Sequence, residues 1–210
     1  MPCILAVSVQ GNSTMKRHSA IYTGLLCLLI LVAGCATGPQ SQGWITLFDG
    51  SDLSRWTRTG EANWSLGDGA VMADKGGKTP SYLVSKESYG DFELRVEFWA
   101  TADANSGVFL RASDPAKVGA ATAYEVQIAD ARTDGTGTGA ITDLAKVLPP
   151  LATAGQWNRF EIAARGTQLT VILNGKPVAS AQSAKYARGP IALQYITGTV
   201  RFRRVEIKPL

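Results

Sequence analysis

Apolar and polar side chains alternate position by position in most segments of this chain after Trp44. In the longest such run, 91–100, apolar residues at the even positions alternate with Glu, Arg and Trp at the odd ones. Alternation with a period of two is typical of a β-strand that packs one face and exposes the other. No segment in this part of the chain longer than ten residues shows a helical period. The pattern predicts a domain built from strands.

Turn residues separate the predicted strands. Gly67-Asp68-Gly69 closes a hairpin over 64–73, and Asn174-Gly175 favours a type I′ turn between 168–173 and 177–181. In 200–207 the apolar phase changes near Arg203 and Arg204, which predicts a β-bulge there. We expect roughly ten to twelve strands in an all-β, two-sheet antiparallel β-sandwich.

Two alternating strands in 105–130 carry the candidate functional residues. Glu125 and Gln127 oppose the apolar residues of their strand, and the same phase places Arg111 opposite Leu110. If both strands belong to one sheet, a guanidinium, a carboxylate and a carboxamide share one face. Such a face suits a polyhydroxylated ligand. The alternative is that these groups only solvate an exposed sheet.

The segment 131–155 has no periodicity and contains Gly135, Gly137 and Gly139. It lacks the Gly-Lys-Ser/Thr of a nucleotide-binding loop and does not connect a strand to a predicted helix. We interpret it as a loop beside the binding face.

The N-terminus has the features of a secretory signal. Lys16 and Arg17 precede an apolar run over 21–33, about 13 residues, which is too short to span a bilayer as a helix. Met15 lies directly before the basic residues and is the expected true start. We therefore predict a signal peptide over 1–34.

Small residues before Cys35 are typical of a bacterial lipoprotein signal, in which this cysteine is lipidated. The alternative is an ordinary cleaved signal with an incidental cysteine. If Cys35 is lipidated, residues 35–43 are this cysteine and a flexible tether. Residues 44–210 are expected to form a single domain. The only other cysteines are Cys3 and Cys27, so the mature domain has no disulfide. We expect a cell-envelope lipoprotein, periplasmic or anchored to the outer membrane through Cys35.

The charge balance gives no sign of a nucleic-acid partner. The whole chain carries 21 Lys and Arg against 17 Asp and Glu, a net charge of +4. Removing Lys16 and Arg17 with the signal leaves 19 basic residues, a net charge of +2 without long basic runs. This is far from the basic patch that nucleic-acid binding requires.

The order of short motifs along 44–210 resembles the 3-keto-disaccharide hydrolase domain family. The motifs are Ile-Thr-Leu-Phe-Asp-Gly-Ser-Asp-Leu-Ser-Arg-Trp (45–56), Trp64 with Asp68-Gly69, Gly-Asp-Phe-Glu-Leu (90–94), Asn-Ser-Gly-Val-Phe-Leu-Arg (105–111), Tyr-Glu-Val-Gln-Ile with Asp130 (124–130), Gly-Gln-Trp-Asn (155–158), Leu-Asn-Gly (173–175), Gly-Pro-Ile-Ala-Leu-Gln (189–194) and Val-Arg-Phe-Arg (200–203). Each motif is weak alone, and their order carries the resemblance.

The resemblance implies a concanavalin-like jelly roll that binds sugar on its concave sheet. It also implies cleavage of glycosides oxidised at C3, where the carbonyl acidifies the C2 proton. Such an enzyme needs one positioned base and a group that stabilises the enolate oxygen. The carboxylate pair of ordinary glycosidases is not required.

By the matching motifs, Glu125 is the expected base or metal ligand, Arg111 the oxyanion stabiliser, and Asp130 a second acid or metal ligand. Gln127, Asn105 and Trp99 are the expected sugar-binding residues. Trp64 and Trp157 are further candidates for stacking on a sugar, although a Trp in a β-sandwich usually belongs to the core. The sequence does not identify a cofactor. The one candidate is a divalent metal bound by Glu125 and Asp130.

Two departures from the family affect the expected mechanism. Tyr195-Ile196 stand where larger members carry a His, and Thr142 stands where members carry a Tyr. No His occurs in 36–210, so either a carboxylate performs the proton transfer or the domain has kept the fold and lost the catalytic rate. The alternative functions are a non-catalytic carbohydrate-binding module and an envelope interaction protein without a sugar function.

Overall fold

The structure is a computed structural model that describes residues 43–210, so the predicted signal peptide and Cys35 lie outside it. Within this range every regular element is a β-strand. The described part of the chain has no helix long and apolar enough to cross a membrane. The strands are β1 (Ile45–Phe48), β2 (Trp56–Thr59), β3 (Ser65–Gly67), β4 (Ala70–Ala73), β5 (Ser81–Ser85), β6 (Phe92–Ala100), β7 (Ser106–Leu110), β8 (Tyr124–Ile128), β9 (Asn158–Arg165), β10 (Gln168–Leu173), β11 (Lys176–Gln182), β12 (Ala192–Tyr195) and β13 (Val200–Pro209).

The strands form two antiparallel sheets. One has eight strands in the order β11-β10-β9-β6-β13-β4-β3, with β1 paired to β13. The other has five strands in the order β2-β5-β12-β7-β8. These pairings confirm the predicted all-β, two-sheet antiparallel architecture.

The core lies between the sheets and is built from the apolar phase of each alternating strand. Phe98 and Phe160 of the larger sheet stack at 4.7 Å between ring centroids. They share one buried cluster with Val108 and Leu193 of the smaller sheet. Fully burying each such side chain stabilises the fold by about 1.5–3 kcal/mol. This common core fixes the smaller sheet, and with it the residues on its outer face.

Local sequence signals placed most turns correctly. Asn174 and Gly175 both have positive φ, 50° and 79°, as a type I′ turn requires. The predicted bulge is present, since the β13–β6 register shifts between Arg203 and Val205. Strand β2 was not predicted, because its Thr and Arg residues show no alternation of apolar and polar side chains.

The outer face of the five-stranded sheet is covered. Tyr82, Val84, Phe109 and Ala192 form a second buried cluster there, together with residues of the segment that follows β7. Strands β7, β8 and β12 are consequently buried on both faces. Polar side chains on this outer face are therefore held away from bulk water.

Candidate functional site

Polar side chains cross the outer face of the five-stranded sheet in one line. The strand registers pair Tyr82 with Gln194 and Gly107 with Gln127. Leu193 pairs with Val108, so the next position, Gln194, lies beside Gly107. Four strands thus bring Tyr82, Gln194, Gly107 and Gln127 into a row across the sheet. We call Tyr82, Gln194, Glu125 and Gln127 the polar row.

Glu125 joins this row by reaching over Gly107. A methyl group on Gly107 would lie 2.9 Å from Glu125 Oε1, so the missing side chain leaves the space that the carboxylate occupies. Thr142 donates its hydroxyl to Glu125 Oε2 at 3.0 Å. The Thr142 amide also donates to the Glu125 carbonyl at 2.9 Å, which fixes the threonine beside this strand. The carboxylate is therefore held in one position.

Burial dominates the electrostatics of this carboxylate. Glu125 is 8% exposed, and desolvation raises its pKa above the ordinary value for glutamate. The Thr142 hydrogen bond and the charge of Arg132 oppose this shift, and the charge of Asp143 adds to it. A raised pKa is one of the properties of a general base.

Gln127 connects Glu125 to Arg132. With its amide oxygen toward Arg132, Gln127 accepts from both guanidinium nitrogens, at 2.8 and 3.1 Å, and donates to Glu125 Oε1 at 2.9 Å. The reverse orientation leaves a single 3.5 Å contact from Nε2 to Asn105 Oδ1. We assign the first orientation because it satisfies both ends of the amide. Gln127 thus lies between Glu125 and Arg132, with Asn105 beside it.

The expectation that Arg111 shares this face is wrong. Strand β7 ends at Leu110, and Arg111 takes a left-handed conformation with φ of 53°, so alternation stops before it. Its guanidinium is 1% exposed and donates to the carbonyls of Gly90 and Gly166, each at 2.8 Å. It also donates to the Tyr186 carbonyl at 3.3 Å and forms a 2.8 Å ion pair with Asp91. Arg111 is therefore committed to backbone and carboxylate partners away from Glu125.

Asp130 lies outside the polar row as well. Its carboxylate accepts the hydroxyls of Thr138 at 2.6 Å and Thr153 at 2.8 Å. It also accepts the backbone amides of Thr153 and Ala154. These contacts join the end of β8 to the loop before β9. Asp130 therefore does not act as a second acid beside Glu125, because the loop before β9 occupies both of its carboxylate oxygens.

Trp99 lies on the other sheet. It pairs with Arg201 of β13 in the larger sheet, on the side opposite to the core. Of the other indoles, Trp64 is buried in the core against Tyr195 and Phe202. Trp157 is half-buried with Arg203 stacked 4.0 Å above its ring. Trp99 therefore cannot contact the same ligand as Glu125, because the sandwich separates the two surfaces.

A metal centre built on Glu125 and Asp130 does not fit this geometry. Among residues 43–210, no group of three or more His, Cys, Asp and Glu side chains lies together. Glu125 and Asp130 also belong to separate hydrogen-bond networks, Glu125 with Thr142 and Gln127 and Asp130 with Thr138 and Thr153. We therefore derive no chemical step through a metal.

Sequence reasoning missed four members of the site. Gln194 and Tyr82 lie on β12 and β5, and the pairing of these strands joins positions 112 residues apart. Arg132 lies in a loop without periodicity, so its direction could not be read from a pattern. Thr142 was noticed only as a departure from the family, and the structure gives it a hydrogen bond to the carboxylate.

A cavity of about 390 Å³ opens beside this site. It is lined by Arg132, Thr136 and residues 140–146. Thr142 and Arg132 link it to the polar row through their contacts with Glu125 and Gln127. The cavity is large enough for a small ligand.

Solved structures share this architecture. A candidate glycosyl hydrolase from Parabacteroides distasonis superposes with a TM-score of 0.70 at 20% identity, covering 80% of this chain and 95% of that one. Another from the same organism has a TM-score of 0.68 at 27% identity, with 80% and 99% covered. A carbohydrate-binding module from Bacillus subtilis has a TM-score of 0.56 at 16% identity, with 79% and 95% covered.

The comparisons confirm the jelly roll and the family resemblance read from the motifs. The fold is shared with a candidate glycosyl hydrolase and with a carbohydrate-binding module. No curated protein matches the chain. Residues 43–208 match the family described as the 3-keto-alpha-glucoside-1,2-lyase-like domain, and the chain belongs to that family.

Proposed function

We propose that this domain cleaves 3-keto-glycosides or 3-keto-disaccharides, with Glu125 as the base that removes the C2 proton. The observation that carries the proposal is the buried Glu125 carboxylate, fixed by Thr142 and Gln127 in the middle of the polar row. Membership of the family supports the substrate class. A single positioned base suffices because the C3 ketone already acidifies the neighbouring C–H bond.

The reaction is an elimination followed by hydration. Glu125 takes the C2 proton, and the electron pair of that bond forms an enolate with the C3 oxygen. Collapse of the enolate expels the glycosidic oxygen from C1, and the protonated Glu125 returns a proton to it. The sugar is left with a C1=C2 double bond conjugated to the ketone. Water then adds its oxygen to C1 and a proton to C2, which completes a net hydrolysis.

The raised pKa of Glu125 matches this role. A base works best when its pKa approaches the working pH, because it then combines a usable deprotonated fraction with a stronger drive to take the proton. The hydrogen bonds from Thr142 and Gln127 hold the carboxylate in place, so little reorganisation accompanies the transfer. Arg111 contributes nothing to the enolate, since its contacts lie elsewhere.

The second candidate function is a non-catalytic carbohydrate-binding module. Its support is the shared fold of the Bacillus subtilis module and the absence of any His from 36–210. Turnover separates the two candidates, because a binding module holds an intact sugar without changing it.

Incubation of residues 44–210 with 3-keto-trehalose or a chromogenic 3-keto-glucoside tests the proposal. We expect release of the aglycone, and in D₂O incorporation of deuterium at C2 of the product. The parent glycoside, without the ketone, should not react. Saturable binding of both sugars without release of the aglycone, with or without added divalent metal, would instead establish the binding module.

The cellular location is also a proposal. The small residues before Cys35 and the polar segment 36–43 support a lipoprotein of the cell envelope, tethered to a membrane in the periplasm. Expression of the full chain in a bacterium with radioactive palmitate should label the protein, and Cys35→Ser should abolish the label. Equal labelling of both proteins would overturn the assignment of Cys35.

A further inference from the structure

A buried acceptor without a partner lies in the polar row. Gln194 is 4% exposed, and its Nε2 donates to the Tyr82 hydroxyl at 3.2 Å. Its Oε1 is buried and has no hydrogen-bond partner among the described residues. Leaving a buried polar atom unpaired costs about 1–3 kcal/mol. An unpaired buried polar atom in a native structure requires an explanation, such as a catalytic role or a partner from outside the chain.

The Tyr82 hydroxyl is a donor that is not used within the fold. It accepts from Gln194, and no hydrogen bond between described residues has this hydroxyl as its donor. Burial and the nearby charge of Glu125 both raise the pKa of Tyr82, while the Gln194 hydrogen bond opposes them. The phenol therefore keeps its proton throughout the neutral range and can donate it in a hydrogen bond.

The ring of Tyr82 is held rigidly enough for this task. It packs edge-on against Phe109, with 5.4 Å between centroids, and Phe109 is the cross-strand partner of Glu125. Gln194 lies between Tyr82 and the carboxylate above Gly107. The phenol and the carboxylate thus lie on the same face of the sheet, on opposite sides of Gln194.

We propose that Tyr82 donates a hydrogen bond to the C3 oxygen as it becomes an enolate, while Gln194 positions Tyr82 and accepts from the adjacent sugar hydroxyl. This inference rests on the proposed function. The C2 hydrogen and the C3 oxygen are on adjacent atoms, so a base and an oxyanion donor must flank one point. Glu125 and Tyr82 lie on one face of the sheet, with Gln194 between them. No proton is transferred by Tyr82, whose contribution is electrostatic.

Tyr82→Phe keeps the ring and removes only the donor. We expect kcat on a 3-keto-glucoside to fall about 100- to 1,000-fold, as for loss of one oxyanion-hole donor, with KM changed less than about threefold. The exchange of C2 hydrogen for deuterium should slow by the same factor, because the enolate precedes both outcomes. The control is Tyr89→Phe, another buried tyrosine with a raised pKa that packs on Phe92; its kcat should be unchanged.

Gln194→Met separates the positioning role from a structural one. Methionine fills a similar volume without an unpaired acceptor, so the variant should unfold at the same or a higher temperature while kcat falls at least tenfold. A purely structural glutamine would give lower stability with unchanged kcat.

The outcomes distinguish this inference from the function on which it rests. If the wild type cleaves the sugar and Tyr82→Phe does so at the same rate, the donor assignment is overturned and the proposed function stands. If the wild type neither cleaves nor exchanges the C2 hydrogen, both are overturned.

Discussion

Glu125→Gln is expected to lower the turnover of a 3-keto-glucoside by about 100- to 10,000-fold, the range that a positioned general base supplies. Glutamine has nearly the same shape and can still accept from Thr142, so the polar row should remain folded. The deuterium exchange at C2 should fall by the same factor, since no other described carboxylate lies in the row. Activity comparable to the wild type would remove Glu125 from the mechanism.

The same substitution is expected to leave the fold equally or more stable at neutral pH. The pKa of Glu125 is raised in the folded state, so burying its charge costs free energy at every pH above that folded pKa. The cost disappears as the pH falls through the folded pKa toward the unfolded value, about 4.3. The stability gain of Glu125→Gln should therefore be present at neutral pH and vanish near pH 4. Urea unfolding at the two pH values measures the difference.

The pH profile gives an independent view of the same carboxylate. The acid limb of kcat/KM should have its midpoint above the ordinary pKa of glutamate, because the free enzyme must lose this proton before it can act as a base.

Gly107→Ala should lower kcat without altering any charge, because the new methyl group displaces Glu125 Oε1. The matched control is Gly67→Ala, also in a strand, where nothing lies within 4 Å of the added carbon.

The sequence predicted the features that depend on the local residue pattern. Alternation identified the strands, and the Asn174-Gly175 turn followed from its residue types. Glu125 and Gln127 are two apart on one strand, so their common face was determined without knowledge of the neighbouring strands. The same reasoning failed for Arg111 because it assumed that β7 continues, whereas a positive φ turns the chain after Leu110.

Contacts that depend on the order of the strands could not be predicted from the sequence. Trp99 alternates as a strand residue should, yet only the topology shows that its strand belongs to the other sheet. Tyr82, Gln194 and Gly107 become neighbours because β5, β12 and β7 are adjacent in space. None of the three carries a local mark of function. The candidate site is therefore assembled by the order of the strands. Its central carboxylate, Glu125, could be identified from the sequence.

Arg111→Ala is expected to remove a large share of the stability of the domain. Arg111→Ala would leave the Gly90, Gly166 and Tyr186 carbonyls without their donor and create a cavity where a fully buried side chain lay. Loss of several buried hydrogen bonds together with the packing costs about 3–5 kcal/mol. That is a large share of a total stability of about 5–15 kcal/mol. Urea unfolding of the purified domain measures the loss.

Arg111→Lys tests whether the geometry of the guanidinium is what matters. Arginine reaches three carbonyls and Asp91 at once from a planar fork, which one ammonium group cannot do, so this variant should also lose stability. The control is Arg203→Lys, whose ion pair with Glu97 is half-exposed and should cost no more than about 1 kcal/mol. Folded Arg111→Lys should retain the wild-type kcat, because Arg111 contacts no member of the polar row. A specific loss of kcat at unchanged stability would return Arg111 to the active site.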